Sequence, residues 1–363
     1  MAGNYGDAIE DFVPANGGGI KLMWLPARYA FRAGSVSGTQ WDKSNIGFGS
    51  FAVGQNNKSS GEGSGTIGKD NVANNYYSVA MGYNDTASGG YSIALGYRSV
   101  AKEQASISAG YEAKSEALAS VAMGFRTTAT GTASTAFGNG TKAIGTASTA
   151  FGIATQASGD YSFSTGSSST AHGSYSFAAG LGTKAFAYSS TVLGQYNVPD
   201  LFVNPTVPAC TDWIFVIGNG TINKPQNALW LTRGADLYIG GTFSPNKGVV
   251  CVSDIRLKEN IQPIMNVLGK IDQIQPISYY FKDTSAYSAS HQIGFSAQEI
   301  EKTFPELVTK NDKGYLAVNY AQITAVAIQA IKEQQKIIKH QDNKIASLES
   351  RLQKLEEIII KIK

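Results

Sequence analysis

The sequence predicts a mainly β protein: a homotrimeric parallel β-roll or solenoid shaft, a β-rich neck, then an α+β domain that ends in a trimeric coiled coil. Three observations predict it. A serine returns every fourteen residues from Ser50 to Ser190, through Ser64, Ser78, Ser92, Ser106, Ser120, Ser134, Ser148, Ser162 and Ser176, and each is followed four positions later by glycine. The composition changes near residue 200, and residues 253–363 hold 28 of the 57 charged side chains, which marks that end as a separate module. The C-terminal stretch carries isoleucine and leucine at heptad spacing.

Residues 1–49 are expected to form an N-terminal cap or attachment segment. Trp24, Phe31 and Trp41 make this lead-in aromatic, and a solenoid needs a plug because an open end exposes unpaired strand edges.

Residues 50–196 hold eleven rungs. A register kept through all of them means stacked repeats rather than low complexity. Within SVAMGYNDTASGGY (residues 78–91), small and large residues alternate over the first five positions. A second short stretch ends in Ala or Ser nine positions after the serine, so each rung contains two short strands joined by turns. Side chains at i, i+2 and i+4 of a strand share a face, which points Ser78, Ala80 and Gly82 one way and Val79 and Met81 the other. The small face lines a thin interior. The large face, with pairs such as Phe51/Val53, Ile93/Leu95, Val121/Met123 and Phe163/Thr165, projects outward. An exposed apolar stripe of that length calls for burial against other chains, and three rolls around one axis bury it. A monomeric solenoid would instead carry its large apolar residues inside. At roughly 4.8 Å per stacked strand, eleven rungs make a shaft of about 50 Å.

Residues 197–252 read as a β-rich neck, also trimeric, in which Pro199, Pro205, Pro208, Pro225 and Pro245 punctuate short runs such as WIFVIGNG. Residues 253–330 form the charged module. Residues 331–363 form the coiled coil: Ile331, Ile338, Ile345, Leu352 and Ile359 fall at one core position and Gln334, Gln341, Leu348, Leu355 and Ile362 at the other. Ile-rich cores favour three or more strands over two.

Several function classes are disfavoured. A net charge of +3 without a basic, aromatic-lined cluster gives no reason to expect nucleic acid. Cys210 and Cys251 build neither a disulfide framework nor a Cys-x-x-Cys pair, and His172, His291 and His340 lack ligand spacing, so no metal and no cofactor is expected. The glycine strings lack the spacing of phosphate-binding loops. The opening MAGNYGDAIEDFV does not read as a signal peptide and no long apolar run follows, so synthesis in a bacterial cytoplasm without membrane insertion is expected. A glycan-degrading shaft would need paired carboxylates, whereas Asp85 and Glu103 stand alone.

One motif carries chemistry. VCVSDIRLKENIQPI (250–264) contains Ser-Asp-x-x-Leu-Lys-x-x-Ile as Ser253, Asp254, Leu257, Lys258 and Ile261, and Gly-Phe-x-Ala-Gln-Glu follows at Gly294 to Glu299. This resembles the C-terminal intramolecular chaperone of phage tailspikes and endosialidases, over Ser253 to about Gln334. The resemblance implies a trimerised domain that cuts the bond before its own serine, here Val252–Ser253. Ser253 would attack the Val252 carbonyl and Lys258 would take the proton. A lysine that acts as a base must be neutral, which near pH 7 requires its pKa to fall by about three units from roughly 10.4, through burial or a nearby cation such as Arg256; Asp254 is a further candidate support. Residues five apart do not share a face of a strand or helix, so the pair needs a turn, or a lysine from a neighbouring chain. Taken as spacing alone, Ser253 could be a helix cap and Lys258 a solvated charge.

The repeats in turn resemble the heads of trimeric autotransporter adhesins, whose coils carry Ser-x-Ala-x-Gly at this period; membrane anchoring does not carry over, because no terminal barrel is seen. Together these readings lead to a structural fibre or tailspike-like homotrimer whose C-terminal chaperone directs assembly and is released by autoproteolysis, an intramolecular serine protease that cuts once. It would sit on a virion tail or an extracellular appendage, with a tail or baseplate protein at its N-terminus and a host-cell surface glycan or protein as receptor. A bacterial surface adhesin of the same architecture is the alternative.

Overall fold

The computed structural model describes residues 16–241, 243–244, 246, 252–284, 287–310 and 314–362; the first fifteen residues of the expected cap, and Cys251, lie outside them. The chain divides into two compact units, Met1–Ser244 and Pro245–Lys363, each described by itself.

The first unit is a parallel β-solenoid. Each serine opens a five-residue strand, Val79–Tyr83 for instance, and a two-residue strand such as Thr86–Ala87 runs back along the other wall. Successive copies pair in parallel with a shift of fourteen residues, as Val121↔Thr135 through Phe125↔Asn139 show. The long strands build one wall within a 16-stranded sheet, and the short ones build a 10-stranded sheet. That long sheet does not stop at the serine register. At one end it takes up Ala30–Val36 and, antiparallel to it, Gly19–Leu25; at the other it continues through Trp213–Asn219, Asn227–Thr232 and Leu237–Ile239.

The interior is as thin as the small residues require. The register serines are buried, and so are the residues two positions later, Ala80, Ala94, Ser108 and Ala122 among them. Facing them from the short strands is a column of Ala73, Ala87, Ala101, Ser115 and Ala129. A fourth buried column, seven positions after each serine, is polar except at Ala113: Asn57, Asn71, Asp85, Ser99, Thr127 and Thr141 belong to it. Most register serines use their hydroxyl to tie the preceding turn, donating to the carbonyl three residues back, as Ser78 does to Asn75 at 2.7 Å and Ser92 to Gly89 at 2.7 Å.

The repeated glycine does not share the small inward face, as the simple alternation expects. From Gly54 to Gly194 it holds φ between +93° and +136°, in the region that favours glycine, so the strand bends out of the pleat there. A methyl group built at each of these positions overlaps the carbonyl oxygen of the corresponding glycine in the next rung. Gly34 and Gly218 extend the same column into the flanking strands.

Large residues plug the ends. Trp41 is buried and donates its Nε1–H to the Asn57 carbonyl at 2.9 Å. Arg32 occupies an interior position, where its guanidinium donates to the Ser50 hydroxyl at 2.8 Å and the Ser59 carbonyl at 3.0 Å; burial pulls its pKa down to about 10. At the far end Val192 and Val216 close the alanine column, with Trp213 and Trp230 packed against them.

The second unit is α+β. Two short hairpins, Pro276–Tyr279 with Gln292–Phe295 and Val308–Lys310 with Leu316–Val318, accompany the helix Ala297–Thr303 and a 43-residue helix, Tyr320–Ile362. Val267, Ile300, Phe304, Leu307 and Val326 form its core. The long helix contributes only its first turns to that core; from Ile331 to Ile360 its isoleucines and leucines are exposed in the single chain. Glu333 fastens the short helix Leu268–Ile271 to the long one, because its carboxylate accepts the backbone N–H of Val267 at 3.0 Å and of Leu268 at 2.9 Å. The Leu268 N–H, then Gln329, hold its pKa below the usual carboxylate range.

Two outcomes are expected. Gly124→Ala should destabilise the shaft by about 3 kcal/mol or more, from left-handed backbone plus overlap with Gly138, whereas Gly65→Ala, which meets nothing within 4 Å, should be close to neutral; thermal melts followed by circular dichroism compare them. Glu333→Ala should lower the melting temperature of the second unit at neutral pH. Because the folded-state pKa of Glu333 is depressed, its contribution is present above the ordinary glutamate pKa and lost as pH falls, so the gap between wild type and variant should close in acid.

Candidate functional site

The segment that begins the chaperone-like motif is held by its own turn. Asp254 caps a short 3-10 helix, Ile255–Leu257, by accepting the Arg256 N–H on its side chain at 2.9 Å, while the Asp254 carbonyl accepts from Leu257 and the Ile255 carbonyl from Lys258. This turn solves the spacing problem within one chain. It reverses the backbone between Ser253 and Lys258, and Lys258 Nζ donates to Ser253 Oγ at 2.8 Å.

Arg256 is occupied elsewhere. Its guanidinium grips Asp254 in a forked pair, with one N–H donating to Oδ2 at 2.6 Å and Nε at 3.1 Å from both carboxylate oxygens. The pair holds the Asp254 carboxyl below its usual range and raises the arginine. Arg256 is thus a structural partner of the cap, and its charge is matched by Asp254 rather than left free beside Lys258.

The surroundings are apolar and open to solvent. Val252 is 83% exposed, and Ile255, Leu257, Ile261, Ile264 and Met265 are exposed with it. Leu257 and Ile261 belong to the motif itself, so the signal for this apolar skirt stands in the sequence, although only the structure shows that the single chain leaves it uncovered. Further along, Gly294 lies in the strand Gln292–Phe295 where a side chain would meet the Tyr320 hydroxyl, and Phe295 N–H donates to that hydroxyl at 3.3 Å. The Gly-Phe element therefore fastens the hairpin to the start of the long helix.

The solenoid carries the second candidate surface. Residues one and three positions after each serine are half-buried or exposed, and the large ones, Met123, Phe137 and Phe151 among them, form an apolar stripe along the long sheet. The flanking strands lengthen it beyond the repeats: Phe31 pairs with Phe51 and stacks on it at 5.7 Å, Trp24 pairs with Phe31, and Ile20 and Leu22 on the outer strand are 90% and 77% exposed. Phe215 and Ile217 continue it in the neck, paired with Thr191 and Leu193. Among the described residues no helix is long and apolar enough to cross a membrane, and no cluster of His, Cys, Asp and Glu could hold a metal ion.

Comparison with known proteins identifies both parts. Residues 253–309 match the family described as the chaperone of endosialidase. Residues 46–64, 67–84, 87–113, 115–141 and 143–169 match the YadA head domain repeat. The long tail fiber protein Gp37 of Enterobacteria phage T2 is 30% identical over 139 residues, 35% of this chain and 10% of that protein. The Gp37 of Enterobacteria phage K3 is 32% identical over 139 residues, 35% of this chain and 11% of that protein. The chain thus spans only a small part of the length of these curated relatives. The serine-and-glycine register and the Ser-Asp-x-x-Leu-Lys-x-x-Ile segment thus have separate kin, and the chain joins segments that match the YadA head domain repeat to one that matches the chaperone of endosialidase.

Proposed function

We propose that this chain is a structural fibre or tailspike-like protein that assembles as a homotrimer on a virion tail, and that its C-terminal domain directs trimerisation and is then released by cleavage between Val252 and Ser253. The observation that carries the trimer is the apolar stripe that runs from Ile20 and Trp24 to Phe215 and Ile217 and has no cover within its own unit. The stripe of Ile331, Ile338, Ile345, Leu348 and Leu352 on the long helix supports the same stoichiometry as a coiled coil. The similarity to long tail fibre proteins supports the tail, with a tail or baseplate protein at the N-terminal end and a host-cell surface glycan or protein as receptor.

The 2.8 Å contact between Lys258 and Ser253 supports the cleavage chemistry. Ser253 Oγ attacks the carbonyl carbon of Val252 as Lys258 Nζ takes the hydroxyl proton. The peptide C–N bond breaks, the proton passes to the leaving amine of Ser253, and the acyl group rests on Oγ as an ester. Water then hydrolyses the ester, leaving a Val252 carboxylate and restoring the serine hydroxyl. A lysine can act as base only when neutral, and removal of water favours the neutral form. In the single chain Val252, Ile255, Leu257 and Ile261 leave the pair open to solvent. Neighbouring chains packed on this apolar skirt would exclude water, so that cleavage follows assembly.

Such a device answers a difficulty of the shaft. Near-identical rungs can pair one repeat out of register at little cost, and long-range β pairing forms slowly. A C-terminal module that trimerises first aligns the chains, and its release leaves the shaft kinetically trapped. The matches to the YadA head repeat favour a second reading, a surface or appendage adhesin of the same architecture.

On a denaturing gel, wild type should give fragments of 252 and 111 residues, whereas Ser253→Ala and Lys258→Ala should each run as one intact chain. An intact wild type would remove the protease role and leave the chaperone role standing. In the Ser253→Ala background, sedimentation should give three times the 38.4 kDa chain mass, and the double change Met123→Asp with Phe137→Asp should shift material toward monomer or aggregate.

A further inference from the structure

From Asn57 to Ser99 the buried column inside the shaft is a hydrogen-bond ladder, and Asp85 is its mismatched step. Asn57 donates from Nδ2 to two carbonyls, Val53 four residues back at 2.6 Å and Gly68 eleven residues on at 2.8 Å, and accepts the N–H of Asn71 on Oδ1 at 3.0 Å. Asn71 repeats all three contacts with Ile67, Gly82 and the N–H of Asp85. Asp85 comes next. Its Oδ1 accepts the N–H of Ser99 at 2.7 Å, as the asparagines do for their successors, and the Ser99 hydroxyl reaches the same pair of positions, Leu95 and Gly110. The second oxygen of Asp85 takes the place of an amide donor. It is fully buried and has no hydrogen-bond partner.

By the repeat, the groups that await a donor at this step are the carbonyls of Met81 and Gly96. A carboxylate would oppose acceptor to acceptor in a site closed to solvent. We infer that Asp85 is carried in the folded shaft as a neutral carboxylic acid whose Oδ2–H completes the ladder, and that this rung is a pH-sensitive joint that loosens as the acid ionises. The groups around it reinforce the neutral form. The inward residues of the strands on either side are Ala73, Ala80, Ala87, Ala94 and Ala101, and along the column stand Asn71 and Ser99; no charged side chain faces it among the described residues. Burial accordingly pushes the Asp85 carboxyl up to about 6, against smaller opposing effects of the Ser99 and Gly96 N–H groups.

The direction follows from linkage. An acid whose folded-state pKa lies above its unfolded one contributes full stability below the unfolded value and loses it as pH rises through the folded one. Between the ordinary aspartate value near 4 and about 6, each pH unit therefore costs up to about tenfold in the folded-to-unfolded ratio, and above that the contribution is gone, in contrast to carboxylates held by cations, which weaken a fold in acid. The contribution of this rung is thus greatest in acid and lost by neutral pH.

Asp85→Asn in the full-length chain tests this, because the amide restores the donor that Asn57 and Asn71 supply. The thermal midpoint of the wild-type shaft should fall between pH 5 and pH 8 by roughly 5 °C more than that of Asp85→Asn, and the variant should equal or exceed wild type at pH 8. The difference spectrum of wild type minus Asp85→Asn in the infrared at pH 5 should show the carbonyl stretch of a protonated carboxyl group. Equal pH dependence of the two proteins, a variant less stable than wild type at pH 8, or the absence of the protonated band would each overturn the proposal.

Discussion

The contact on which the shaft depends is the approach of backbone to backbone at the glycine column. From Gly34 to Gly194, each of these glycines lies against the carbonyl of its counterpart in the next rung, where a β-carbon has no space. That closeness allows parallel pairing with an unbroken fourteen-residue shift and makes each turn of the coil narrow. A narrow coil admits only small side chains. The large ones are therefore turned outward by geometry, and the exposed stripe is a consequence of the same contact.

A thin interior also changes what holds the fold together. Alanine and serine columns bury little apolar area per residue, so hydrogen bonds between rungs carry more of the stability than in a globular domain. They must also offset backbone strain, since non-glycine residues such as Tyr77, Asn84, Ala105 and Arg126 adopt positive φ at the turns. Outside, aromatic rings add a second ladder: Tyr83, Tyr97, Tyr111 and Phe125 stack face to face at 5.3, 4.8 and 5.0 Å, with Arg98 over Tyr97 and Arg126 over Phe125. The second unit relies on a small apolar core of the ordinary kind around Ile300, Phe304 and Val326. The two units thus face different folding problems, one of register over many equivalent pairings and one of closing a compact core, which is why a separate chaperone domain suits a repetitive shaft.

Much of this was legible in the residues. The serine period carried the solenoid, the alternation within a rung carried the buried and exposed faces, and the Ser-Asp-x-x-Leu-Lys-x-x-Ile segment carried the chaperone resemblance. The polar column was less legible, because Asn57, Asn71, Asp85 and Ser99 share a period without sharing identity, Ala113 interrupts them before Thr127, and polarity in isolation suggests solvent. The flanking strands were harder still. Gly34 stands twenty residues before Gly54, and Gly218 stands twenty-four after Gly194, so neither keeps the beat, yet both enter the stack.

The sequence by itself determined the shaft, because period, residue size and the demand for glycine are one-dimensional facts that a stacked fold reads out directly. Only the tertiary structure decided what depends on position in space. It placed the glycines at the bend instead of the inner face, drew Lys258 back to Ser253 through the Asp254-capped turn, engaged Arg256 with Asp254, and enclosed Asp85 with one carboxyl oxygen unpartnered. Those outcomes turn on dihedral angles and on which groups meet across rungs, and spacing along a chain does not specify either.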